Sequence, residues 1–138
     1  MRVSPSLRFV AYGSLGLLTE MVFTALKDLI RSGGRTARGH TSPWMFPIYG
    51  LALPLFEPAH DAMRGQVPLA GRALVYAAGF TAVEYATGRM LRRVLGEAPW
   101  DYSNARWNLD GLVRADYAPL WAAAGLGLER VHDALTSR

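Results

Sequence analysis

Two glutamates interrupt the apolar runs of this chain. Glu20 is the one charge within residues 9–26, and Glu84 is the one charge within residues 73–88. An ionised carboxylate near the centre of a bilayer costs about 2.5 to 3.5 kcal/mol, so an acid there must face a partner, water or the interior of a bundle. At 1.5 Å per residue, Glu20 falls about 10 Å along a helix from Lys27, and Glu84 about 7 Å from Arg89. Gly13, Gly16, Glu20, Thr24 and Lys27 recur every three or four residues, as do Tyr76, Phe80, Glu84 and Gly88. Stripes of this kind let helices approach closely. If the two stripes meet, the acids form a paired pocket for a proton, a cation or a cationic headgroup, with Tyr12, Thr24 and Tyr76 beside it. Otherwise each acid accepts hydrogen bonds from Tyr, Trp or Arg on a neighbouring helix and fixes packing. A membrane-embedded enzyme would use the same carboxylates as general acid and base.

A second constellation is Glu57-x-x-His60-Asp61, with its counterpart Glu129-x-x-His132-Asp133. Glu and His three apart share a helix face, and two such pairs supply half the ligand set of a di-metal carboxylate bundle. Glu57, His60, Glu129 and His132 are therefore candidate metal ligands. The plainer reading is a duplicated polar helix end, since Pro58 follows Glu57 and both copies close an apolar run. Between the third and fourth runs, Trp100, Asp101, Tyr102, Ser103 and Asn104 read as a turn, with Asp, Ser and Asn capping the chain and Trp and Tyr anchoring at an interface. Such a turn lids the glutamate pocket or simply folds at the membrane surface. Arg114 and Asp116 flank the last run, where they can pair with Asp101 or Glu84 or stand as boundary charges.

Positioning these groups requires helices. A membrane span needs about 20 mostly apolar residues, and four stretches come close: residues 9–26, 39–56, 73–88 and 117–128. A soluble bundle helix would show charges every three or four residues on its outer face, and these runs lack them. The expected fold is all-α, a four-helix transmembrane bundle forming a single membrane domain over residues 1–138. Trp44, Trp100, Tyr102 and Trp107 lie in or beside the first and third connections, as an interfacial belt would. Those connections carry eight Lys and Arg against six on the opposite side, which leans toward both termini being outside. The MRVSPSLRF start is not expected to be a cleaved signal, because the run after it contains Glu20 and lacks a small-residue cleavage site.

Composition narrows the function. The chain has 138 residues, of which 51% are hydrophobic and 19% charged, which excludes a disordered solvating segment. The net charge of +4 comes from 14 Arg and one Lys without a dense basic block, so nucleic acid is not expected as a partner. There is no cysteine, hence no disulfide, thiol nucleophile or zinc ribbon. Neither a phosphate-cradling G-x-x-x-x-G-K-[ST] nor a G-x-S-x-G or H-E-x-x-H motif occurs, so the chain is not the ATPase of a transporter. No cofactor is indicated.

The chain also repeats itself. Arg8-x3-Tyr12-x7-Glu20 recurs 64 residues later as Arg72-x3-Tyr76-x7-Glu84, and PIYGLALPLFEPAHDAM, from Pro47, recurs 72 residues later as PLWAAAGLGLERVHDAL, from Pro119. Two tandem helical hairpins, residues 8–64 and 72–136, follow from this. With two spans each, they enter the membrane from the same side, related by an axis along its normal.

YGSLGLLTEMVFTALKD, FPIYG, VEYATGRMLRRVLGEAPWDYS and the later NLDG resemble the transmembrane protein 229 family and the related bacterial proteins labelled type IV ABC-transporter permeases. The resemblance runs from Arg8 to Glu129 and implies a four-span membrane protein without an established activity. It places Glu20, Glu84, Trp100, Asp101, Tyr102 and Ser103 at motif positions, and leaves His60 and His132 outside the pattern. The reading as a whole is an integral, multi-pass protein, permease-like or ligand-binding, in a bacterial inner membrane. Its alternatives are a membrane enzyme and a structural or regulatory subunit. Its expected partners are the lipid bilayer and a second copy or another membrane subunit, since four helices leave little interior room.

Overall fold

A computed structural model describes residues 2–137. The chain is mostly helical and divides into two compact units, one ending at Pro58 and the other starting at Ala59. In the first, α1 spans Pro5–Arg31. Ser4 caps it by accepting the Leu7 N–H, and Pro5 fills the first turn, where a missing N–H costs nothing. Ser32 ends it, and Gly33 and Gly34 turn the chain with φ of 64° and 84°. Residues 39–42, expected to be helical, are instead irregular, and Pro43 and Trp44 form a turn into the next helix; Thr24 Oγ1 of α1 accepts the His40 N–H at 2.8 Å and lies 3.1 Å from the His40 carbonyl.

Helix α2, Met45–Gly50, packs on α1. Gly13 and Gly16 receive the Phe46 and Tyr49 side chains, and Gly50 receives Phe9. The small residues of the α1 stripe thus serve packing inside their own unit. A π-turn over Ala52–Phe56 follows, then α3, Glu57–Met63. Pro54 and Pro58, four residues apart, both lack an N–H, and the ladder widens so that the Glu57 N–H reaches the Ala52 carbonyl. The corresponding residues 72 positions on are Leu126 and Arg130, and there the helix is regular.

In the second unit, α4 spans Leu69–Leu95 and ends on Gly96 in the left-handed conformation at φ 86°. Helix α5, Ala118–Thr136, runs back along it, with Gly125 against Tyr76 and Trp121 stacked 5.5 Å from Phe80. The connection holds a feature absent from the all-α expectation. Strands β1, Asn108–Leu109, and β2, Val113–Arg114, pair antiparallel across Asp110 and Gly111, both left-handed at φ 56° and 67°. Asp-Gly favours this mirror-image turn. A 3-10 turn over Ala115–Tyr117 then leads into α5.

Buried apolar residues such as Phe56, Leu91, Leu112 and Val113 share the interior with charged groups. Glu57, His60, Glu129 and His132 are buried, whereas Leu18, Val22, Ile30, Leu74 and Val94 are exposed. Among the described residues, α1 is the one helix both long and apolar enough to cross a membrane. The π-turn splits the second run into short helices, and α4 and α5 carry Glu84, Arg89, Glu129, Arg130 and Asp133 within their length.

Candidate functional site

The two interior acids are held in the same manner. Glu20, half-buried on α1, accepts the Thr41 hydroxyl at 2.8 Å from the connection and has Tyr49 of α2 as a second hydrogen-bonding neighbour. Glu84, half-buried on α4, accepts the Tyr102 hydroxyl at 2.7 Å from the connection and the Trp121 indole N–H at 3.1 Å from α5. Each carboxylate therefore takes one donor from the segment linking its helices and one aromatic donor from the following helix. Tyr49 and Trp121 are 72 residues apart, the offset of the second sequence match.

The remaining expected residues of the connection gather around Tyr102. The Trp100 indole donates to the Leu112 carbonyl at 2.8 Å, and its ring covers Gly88, where an added Cβ would come within 2.8 Å. Asp101 accepts the Ser103 N–H at 2.9 Å, closing a turn on its own side chain. The Ser103 hydroxyl and backbone N–H hold the Asp101 carboxyl below the usual carboxylate range. Arg114, expected near Asp101 or Glu84, instead forks onto Asp116 at 2.8 and 2.6 Å and lies 4.3 Å over the Tyr117 ring, which packs edge-on against Tyr102. Asp116 raises the Arg114 pKa further above its ordinary value. Thr24, expected to line a pocket, is bound to the His40 backbone.

At the other end of the helices, Tyr12 and Tyr76 belong to ion-pair clusters. In the first unit, Glu57 accepts Arg8 Nε at 2.8 Å, Arg8 Nη2 at 3.0 Å and the Tyr12 hydroxyl at 2.8 Å, while Arg8 Nη1 donates to the Val3 carbonyl at 2.7 Å. In the second, Glu129 accepts Arg72 Nε at 2.7 Å, Arg72 Nη2 at 3.3 Å and the Tyr76 hydroxyl at 2.7 Å, while Arg72 Nη1 donates to the Val67 carbonyl at 2.8 Å. These bonds match atom for atom.

His60 and His132 extend the second cluster. Arg64 donates to His60 Nε2 at 2.9 Å and to Asp133, so the neutral His60 ring carries its proton on Nδ1, 2.9 Å from the Tyr76 hydroxyl. His132 Nε2 lies 3.2 Å from Asp61, and the two imidazoles meet edge-to-face at 5.5 Å. Among the described residues, no group of three or more His, Asp or Glu could hold a metal ion. The donor set does not fit one either. Guanidinium groups donate to Glu57 in the first unit and to Glu129 and His60 in the second, so these residues form an ion-pair cluster within each unit.

Arg8, Arg72, Arg64, Thr41 and Trp121 were missing from the candidate residues. Arg8 and Arg72 were signalled by the repeated Arg-x3-Tyr, and Trp121 by its alignment with Tyr49. Nothing local marked Thr41 or Arg64.

No solved structure matches the chain. A family model does, over residues 7–138, and it places the chain among membrane-transport-related proteins: this chain belongs to the family described as "Putative ABC-transporter type IV".

Proposed function

We propose that the chain is a multi-pass, permease-like membrane subunit in which Glu20 and Glu84 bind a proton, a cation or a cationic headgroup. One observation carries this reading: both acids are half-buried at mid-helix and take hydroxyl, phenol and indole donors. Glu57 and Glu129 take a guanidinium instead. Neutral donors can hold a carboxyl in either charge state. Four spans in two duplicated hairpins, residues 8–64 and 72–136, belong to the proposal, supported by the matching Arg, Tyr and Glu bonds. Kinship with the transmembrane protein 229 proteins rests on the motifs around Glu20, Glu84 and Trp100. The family placement supports a membrane location, and the bacterial inner membrane belongs to the proposal.

The test uses proteoliposomes carrying a trapped pH dye under a proton or potassium gradient. Glu20→Gln and Glu84→Gln are each expected to abolish flux while the protein still inserts and elutes as folded. Unchanged flux in both variants would refute the proposal.

A structural or regulatory role is the second reading, favoured by donors that arrive from the connections themselves. On that reading the glutamates pin the connections to the helices, and both substitutions loosen the fold. Protease sensitivity of the two variants separates the readings.

A further inference from the structure

Helix α4 carries a shallow groove of about 420 Å³ lined by Tyr85, Ala86, Arg89, Met90, Arg93 and Val94. The lining divides into two parallel rows. Tyr85, Arg89 and Arg93 recur every four residues, and Ala86, Met90 and Val94 form the adjacent row. Met90 and Val94 are 55% and 71% exposed. Arg89 donates to the Tyr85 hydroxyl at 3.3 Å. Among the described residues, no carboxylate lies within ion-pairing distance of Arg89 or Arg93. Arg92, one residue away, is engaged by the Asp110 carbonyl at 2.7 Å. Two guanidiniums thus sit beside an apolar track at the end of a long helix.

We propose that this groove binds an anionic phospholipid of the bilayer, its phosphodiester between Arg89 and Arg93 and an acyl chain running from Met90 past Ala86 toward the middle of α4. The chemistry is specific in two respects. A guanidinium fork matches phosphate oxygens two at a time, as a lysine ammonium does not. The net negative charge of the headgroup distinguishes such a lipid from a zwitterionic one, whose ammonium offsets its phosphate. The apolar row selects a lipid over free phosphate. The inference rests on α4 lying in the bilayer, as the proposed function holds, but not on the glutamates.

The test is native mass spectrometry of the protein released from nanodiscs of mixed phosphatidylcholine and phosphatidylglycerol. The wild-type chain is expected to retain phosphatidylglycerol preferentially, and Arg89→Gln with Arg93→Gln to weaken retention about fivefold per arginine. Arg35→Gln with Arg38→Gln, which removes the same charge from the first connection, is expected to leave it unchanged. Equal loss in both double variants, no preference in the wild type, or displacement of the lipid by inorganic phosphate would each overturn the proposal. Alkaline extraction of native membranes is read alongside. A chain that resists extraction yet shows no preference overturns the lipid site alone, and a chain that is extracted overturns the membrane reading with it.

Discussion

Arg72 and Glu129 show how much a single pair settles. Their ion pair is mostly buried and joined by Tyr76. Removing one partner of such a pair leaves a charge without its counter-ion, which is destabilising. Arg72→Gln and Glu129→Gln should therefore each lower thermal stability in detergent, and the double variant should recover part of the loss. Additive losses would mean the pair is not coupled. The sequence already held this geometry in the repeated Arg-x3-Tyr. The Glu-x-x-His spacing alone does not reveal it, because a metal ligand set and an ion-pair cluster share that spacing until the arginines are placed. Asp101 makes a second prediction. Its ordinary value is 3.8 and the Ser103 donors lower it. The turn is thus stabilised above pH 3.8, and that contribution fades as the pH falls through the lower native value. Protection of the amides at residues 101–104, taken relative to the intrinsic exchange rate at each pH, should fall on acidification below that point, and Asp101→Asn should flatten the dependence.

At the scale of elements, the helices were legible and their interruptions were not. Runs of apolar residues located α1, α4 and α5, since periodicity and length suffice for long helices. The second run was misread at both ends. Residues 39–42 leave the helix where Thr24 offers the His40 backbone a side-chain partner, a contact between positions 16 residues apart. The π-turn depends on the pairing of Pro54 with Pro58. The β1–β2 hairpin was foreshadowed by Asp110-Gly111 but lay inside a stretch read for its aromatics. Gly16 tests the packing of α1 on α2. Gly16→Leu places side-chain atoms where the Tyr49 ring lies and should destabilise the first unit by about 1 to 3 kcal/mol. Gly127→Ala, which meets open space, should be neutral in the same melting experiment. Tyr102→Phe belongs here too. Losing its 2.7 Å bond to Glu84 should raise exchange across the connection without shifting α4.

At the scale of the molecule, ion-pair clusters are covered while many large apolar side chains of α1 and α4 are displayed. That pattern, together with the family match over residues 7–138, is why a bilayer is its expected surroundings. The absence of cysteine makes the topology directly testable with single introduced thiols. Ala37→Cys and Asn104→Cys should react with an impermeant maleimide from one side of the membrane, and Gln66→Cys from the other. Labelling of all three from one side would contradict four spans.

The proposed function requires Glu20 and Glu84 to change charge among the hydroxyl, phenol and indole donors that hold them. Infrared difference spectroscopy of the reconstituted protein between alkaline and acidic pH reads this most directly. A protonated-carboxyl carbonyl band is expected that loses intensity in Glu20→Gln and again in Glu84→Gln. A spectrum identical in the wild type and both variants would contradict it.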